Sequence, residues 1–172
     1  MNNVVSNLLR FLVLILVQVA LCRHICLFGY MTPSIYLLAL LLLPLELPLS
    51  LQYFIGFASG FVVDAFAHTL GVSSFAATLM MFVRPYLVNF LNGSSDTKFE
   101  AVDRLVPGGK DFRWIFLYTL FLVSVYQIAA VLLETMTFKN FWHTLLVIAG
   151  NTVFSVFVIL CTEYIFHPTA KK

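Results

Sequence analysis

The chain has 172 residues, of which 61% are hydrophobic and only 10% are charged. A soluble domain of this length exposes much of its surface to water, and about 25% of the residues in such domains are charged, so the composition excludes an ordinary soluble protein and predicts that lipid is the solvent. The net charge of +2 is too small to indicate a nucleic-acid-binding surface.

The apolar segments predict an all-α integral membrane protein, with residues 1–172 forming a single transmembrane domain. A spanning helix needs about 20 mostly apolar residues to cross about 30 Å of hydrocarbon. In chain order the predicted spans are residues 8–22, 34–47, 51–70, 74–91, 112–133 and 142–166. The second is short and contains Pro44, with Pro48 just beyond it, so a bundle of five spans is the alternative to six.

The distribution of Lys and Arg predicts the orientation of the bundle. With six spans, one side of the membrane holds both termini and the long polar loop, and the other side carries only Arg23 and Lys139. The first side carries Arg10, Lys98, Arg104, Lys110, Arg113, Lys171 and Lys172. Because positively charged flanks stay on the cytoplasmic side, we expect both termini and this loop in the cytoplasm.

The loop itself covers residues 92–113, between the fourth and fifth predicted spans. Turn-forming sequences occur near both of its ends, and a short amphipathic segment lies between them. Two interpretations stay open: a solvated connection, or a docking surface for a cytoplasmic partner or for lipid headgroups. In the second, the basic residues that make contact are Lys98, Arg104, Lys110 and Arg113.

A polar stripe runs along the third predicted span. Gly56, Gly60, Asp64 and His68 recur every four residues, which places them on one slowly winding face of a helix. Small residues at this spacing let membrane helices approach closely, so we predict that Gly56, Gly60 and Gly71 pack against other helices. Gly71 also begins the turn into the next span.

Three ionisable residues are predicted within the membrane: Asp64, His68 and Arg84. A carboxylate that faces lipid is costly, so Asp64 should point into the bundle, as a structural hydrogen-bond acceptor or as a proton or cation site in a transporter. Arg84 either pairs with Asp64 across the helical hairpin or extends to the cytoplasmic headgroups.

No catalytic, cofactor-binding or metal site is predicted. No nucleophile, base and orienting residue share one face, and no glycine-rich phosphate-binding motif occurs. Cys22, His24 and Cys26 lie close together, but no fourth ligand is near them, and a structural zinc site needs four. We therefore expect a protein that is not an enzyme.

The pattern resembles one family of membrane proteins. The second predicted span contains a proline, and the stretch 42–48 around its end is followed by Gly56-xxx-Gly60-xxx-Asp64, and then by Leu70-Gly71 at the start of the next helix. These residues, within about 32–90, are similar to the rod-shape-determining protein MreD family. The chain length and the six predicted spans also fit, whereas the 92–113 loop is not part of the resemblance.

The resemblance implies a non-enzymatic scaffold in the bacterial inner membrane. Such a protein helps maintain cell shape and organises lateral-wall peptidoglycan synthesis through MreC, and indirectly through MreB and the peptidoglycan synthases. It also implies a bundle similar to the substrate-binding subunits of energy-coupling-factor transporters. A small-solute binding subunit of a transporter is therefore the alternative function, and a small membrane enzyme is a third.

Overall fold

The computed structural model describes Val13, Gln18 and residues 34–43, 47–67, 69, 71–92, 112–135 and 141–166. Within these residues the chain contains helices and no strand, which confirms the all-α prediction for this part of the protein. In chain order the helices are α1 (Leu37–Leu41), α2 (Leu49–Ala67), α3 (Val72–Asn92), α4 (Phe112–Thr135) and α5 (Phe141–Phe166).

Four of these helices are long and apolar enough to cross a membrane. The qualifying segments are Leu49–Ala67, Val72–Leu91, Arg113–Glu134 and Thr144–Thr162, with 19 to 22 residues each. At 1.5 Å per residue they measure about 28–33 Å, which matches the hydrocarbon thickness. They correspond to the third to sixth predicted spans, so the prediction of a membrane protein is supported.

The remaining predictions on the number of spans concern the first part of the chain. The first predicted span lies outside the described residues apart from Val13 and Gln18. Within the second, the described helix is α1, which has five residues and is too short to cross a bilayer by itself. The choice between five and six spans therefore stays a prediction.

Consecutive long helices pack against one another, α2 on α3, α3 on α4 and α4 on α5. The short helix α1 lies in the interior, where all five of its residues are buried. Large side chains such as Phe54, Phe61, Phe90 and Phe157 face outward. Polar residues lie inside, which is the arrangement expected when the solvent is lipid and buried polar groups must find partners within the protein.

Candidate functional site

Asp64 lies in the last turn of α2, and its carboxylate is fully engaged. Oδ1 accepts hydrogen bonds from the Thr69 hydroxyl at 2.8 Å and the Ser73 backbone N–H at 2.9 Å. Oδ2 accepts from the Ser74 N–H at 2.9 Å and the Ser74 hydroxyl at 2.7 Å. Only 5% of the residue is exposed. Asp64 therefore points into the protein, surrounded by four donors.

These contacts make Asp64 the cap of the following helix. Ser73 and Ser74 are the second and third residues of α3, and backbone N–H groups in the first turn of a helix have no intrahelical acceptor. The negative carboxylate also lies at the positive end of the α3 dipole. The charge within an otherwise apolar stretch thus has a structural explanation.

Gly60 lets the start of α3 approach close enough for this cap. A Cβ atom on Gly60 would lie 2.5 Å from the Ser73 carbonyl oxygen and 2.5 Å from the Ser74 Cα atom, both of which are backbone atoms. One turn earlier, a Cβ on Gly56 would lie 2.9 Å from the flexible Met81 Cγ. The two glycines thus lie where α2 and α3 make close contact, and Gly60 is the tighter position.

Of the two purposes predicted for Gly71, the structure shows the turn and not the helix packing. It lies in the turn between α2 and α3 with a φ of +80°, a backbone conformation that favours glycine. A Cβ atom there would have no neighbour within 4 Å, and the residue is exposed. Gly71 is therefore a turn glycine rather than a helix-packing glycine. His68, the fourth residue of the predicted stripe, lies outside the described residues.

Arg84, on α3, is the second buried charge, and none of its surface is exposed. Its Nε donates to the Tyr118 hydroxyl at 2.7 Å, and Nη1 donates to Gln52 Oε1 at 3.1 Å. Its Nη2 donates to the backbone carbonyl of Leu41 at 3.2 Å and to that of Leu43. One guanidinium group therefore joins the end of α1 to α2, α3 and α4.

The position of Arg84 follows from helix electrostatics. Leu41 is the last residue of α1 and Leu43 follows it closely, and the carbonyl groups at a helix end lack intrahelical donors and carry partial negative charge. Tyr118 is held in place by Trp114, whose ring stacks on it at a centroid distance of 5.1 Å. The planar, multidentate guanidinium suits this set of acceptors better than an ammonium group does.

Asp64 and Arg84 do not pair with each other among the residues that the structure describes. Ser74, which Asp64 binds, and Arg84 are ten residues apart on α3, or about 15 Å along the helix axis. The predicted alternative of an Asp64–Arg84 ion pair is corrected here, as is the alternative in which Arg84 reaches the headgroups. Each charge is instead balanced by a helix end and by neutral polar side chains.

A third polar feature connects α1, α4 and α5. The Ser155 hydroxyl accepts hydrogen bonds from the Ser34 backbone N–H at 3.3 Å and from Gln127 Nε2 at 3.2 Å. The Tyr36 hydroxyl donates to the Tyr126 hydroxyl at 2.9 Å. We call these five residues the polar cluster. It contains no charged side chain, and these hydrogen bonds join its members to one another.

Gln18 binds the backbone just before the other end of α1. Its Oε1 accepts hydrogen bonds from the backbone N–H groups of Ile35 at 2.6 Å and Tyr36 at 3.3 Å. Side chains from other parts of the chain thus bind the backbone on both sides of this buried five-residue helix, Gln18 before its start and Arg84 at its end. The N–H groups of the helix itself are paired locally, for example that of Leu38 with the carbonyl of Ile35.

Sequence reasoning missed the neutral members of these sites, namely Gln18, Gln52, Tyr118, Gln127 and Ser155. The glutamines offered a signal, because an amide within an apolar span is unusual and generally faces a protein partner. The tyrosine and serine did not stand out from other residues of the same type in the chain.

The structure describes only the two ends of the predicted partner loop, Asn92 and residues 112–113. Arg113, the second residue of α4, is exposed, whereas Lys98, Arg104 and Lys110 lie outside the described residues. The Cys22–His24–Cys26 group lies outside them too. Within the part that the structure describes, no three His, Cys, Asp or Glu side chains come together as metal ligands.

Comparison of the chain with protein-family models, with curated proteins and with solved structures finds no match.

Proposed function

We propose that the chain is a non-enzymatic scaffold of the cell-wall elongation machinery in the bacterial inner membrane, similar to MreD. In this proposal it has about six spans and both termini in the cytoplasm. It binds MreC, and acts indirectly on MreB and the peptidoglycan synthases. The proposal rests on the motif residues within 32–90 and on the hydrogen bonds by which Asp64 and Arg84 join the helices.

The observation that carries the proposal is that the Asp64 carboxylate already accepts four hydrogen bonds. A carboxylate offers about four lone-pair positions, and Asp64 uses four hydrogen bonds to cap α3. A proton- or cation-coupled transporter needs a carboxylate that can exchange its partner during each cycle. Asp64 is committed to holding α2 and α3 together, which suits a rigid scaffold better than a carrier.

Arg84 supports the same interpretation. Its donors reach acceptors in α1, α2 and α4, so any movement of one of these helices would break a bond to a buried charge. Leaving such a charge unpaired costs several kcal/mol. A protein that presents a fixed surface to a partner benefits from this rigidity.

The polar cluster favours a second candidate, a small-solute binding subunit of a transporter. Ser155, Gln127 and Tyr126 are neutral hydrogen-bonding groups at the junction of α1, α4 and α5. Membrane solute sites are commonly built from such groups between helices. The two candidates differ in what loss of the protein does to the cell.

Depletion of the chain in its own bacterium separates the candidates. The scaffold proposal expects rod-shaped cells to widen and round while the wild-type gene on a plasmid restores their width. An empty plasmid serves as the control and should leave the cells wide and round. Cells that stay rod-shaped but require one added nutrient would favour the solute-binding subunit.

A further inference from the structure

The buried face of α5 carries three polar residues whose partners differ. Asn151, Thr152 and Ser155 are spaced by one, three and four residues, which places them on the same side of the helix. Their exposed fractions are 6%, 6% and 1%. Val156 and Ile159 continue this face toward the end of the helix. The three polar side chains therefore face protein rather than lipid.

Only Ser155 has its hydrogen bonds accounted for, by Ser34 and Gln127. Asn151 Oδ1 and Thr152 Oγ1 are buried and have no hydrogen-bond partner in the part of the chain that the structure describes. The large majority of buried polar side-chain atoms are paired with protein or with ordered water. Within a membrane no bulk water can reach them, so two adjacent unpaired atoms need an explanation.

The register between α4 and α5 shows why α4 supplies no partner. These neighbouring helices are joined by residues 136–140 and pack together, so they run antiparallel. The bond between Gln127 and Ser155 then sets Asn151 opposite Val131 and Thr152 opposite Ala130. Neither a valine nor an alanine side chain can make a hydrogen bond. The unpaired atoms lie about one turn from Ser155 along α5, where this register brings no polar side chain of α4 to face them.

We propose that Asn151 and Thr152 bind a small neutral molecule that donates a hydrogen bond, either an ordered water molecule or a polar solute with a hydroxyl or amide group. Asn151 Oδ1 is an acceptor, and a hydroxyl such as Thr152 Oγ1 can accept or donate. Both groups are uncharged, and an ion without a counter-charge is strongly disfavoured at this depth. The inference does not depend on the scaffold function, because it concerns the occupancy of one site in the folded protein.

Thr152→Val tests whether the site is occupied, because valine has nearly the same shape and lacks only the hydroxyl. If a bound molecule uses that hydroxyl, the variant should melt about 2–4 °C below the wild type in detergent. If the site is empty, removing an unpaired polar atom should leave the melting temperature unchanged or raise it, and that result would overturn the proposal. Thr152→Ser keeps the hydroxyl and should melt closer to the wild type than Thr152→Val does.

Thr162→Val is the matched control on the same helix. The Thr162 hydroxyl donates to the Val158 carbonyl at 2.7 Å, a local bond within the helix, so its loss should shift the melting temperature less than Thr152→Val does. Equal shifts in the two variants would show that the Thr152 hydroxyl behaves like an ordinary helical one, and would contradict the proposal.

Native mass spectrometry of the purified wild-type protein identifies the source of the bound molecule. A mass excess that disappears in Thr152→Val indicates a solute, and would also favour the solute-binding subunit over the scaffold. The bare chain mass, together with the lowered melting temperature of Thr152→Val, indicates water, which is lost in the spectrometer. Both mass-spectrometry results support an occupied site. The proposal is refuted by the melting temperatures, if Thr152→Val melts no lower than the wild type.

Discussion

The Asp64 carboxylate accepts two hydrogen bonds from a single residue, Ser74, one from its backbone N–H at 2.9 Å and one from its hydroxyl at 2.7 Å. The two residues lie on consecutive helices, and Gly60 makes their approach possible. Gly60 and Asp64 thus act together. Gly60 leaves space for the start of α3, and Asp64 accepts hydrogen bonds from its first turn.

Asp64→Asn should destabilise the protein less than Asp64→Leu. Asparagine keeps one oxygen that accepts two of the four hydrogen bonds, and its amide group can donate to the Thr69 hydroxyl, so one backbone N–H is left unpaired at a cost of about 1–3 kcal/mol. Leucine leaves the N–H groups of both Ser73 and Ser74 unpaired, for about twice that cost. Unfolding by SDS titration measures the order, and equal stability of wild type and Asp64→Leu would contradict the capping role.

Asp64 and Arg84 should contribute independently to stability. Because each has its own partners and the sites lie about 15 Å apart along α3, the effects of Asp64→Asn and Arg84→Met should add to within about 0.5 kcal/mol. A double-mutant cycle with the same unfolding assay checks this expectation. Coupling well above that value would indicate that the charges interact, as an ion pair requires.

The three glycines should respond differently to alanine. Gly60→Ala places a methyl group 2.5 Å from backbone atoms and should cost about 1–3 kcal/mol through overpacking. Gly56→Ala meets the end of a flexible methionine at 2.9 Å and should cost less. Gly71→Ala should strain the turn, whose φ is +80°, and Gly71→Asn should be better tolerated because asparagine adopts this conformation more readily.

If Gly56→Ala proves as damaging as Gly60→Ala, the close contact at the start of α3 does not determine the spacing of the two helices. If Gly71→Asn is no better than Gly71→Ala, space rather than backbone conformation is what matters at the turn.

The direction of Asp64 could be predicted from the sequence, but its partner could not. Lipid excludes an unpaired carboxylate, so an inward orientation follows from physics alone. The partner depends on how the chain turns after Ala67, because that turn brings backbone N–H groups of α3 to the carboxylate. Backbone donors carry no residue-specific signal, so the charged residue of the hairpin, Arg84, stood as one of two open alternatives instead.

The partners of Arg84 could not be predicted from the sequence for a similar reason, because some of them are backbone acceptors. Two of its partners are carbonyl groups at the end of α1, and any residue type supplies these. Pro48 indicated that a helix ends before it, which implies free carbonyls, but the sequence did not place a helix end at Leu41 or predict that α3 would reach it. Gln52 and Tyr118 were missed because neutral polar residues in a span fit several roles equally well.

Residues 92–113 should face the cytoplasm, as the distribution of Lys and Arg predicts. Single cysteines at Ser95 or Gly109, in a chain whose Cys22, Cys26 and Cys161 are changed to serine, should resist a membrane-impermeant thiol reagent in intact spheroplasts. They should react after lysis, which also serves as the control for reactivity. Labelling of intact spheroplasts would reverse the proposed orientation of the whole bundle.

Affinity purification of the tagged wild-type chain from membranes, with quantification of the proteins that accompany it, tests the proposed scaffold function most directly. A tagged membrane protein of similar size and unrelated role provides the background. The account predicts that MreC is enriched above this background. Enrichment of ATPase subunits of a transporter, with MreC at the background level, would contradict it.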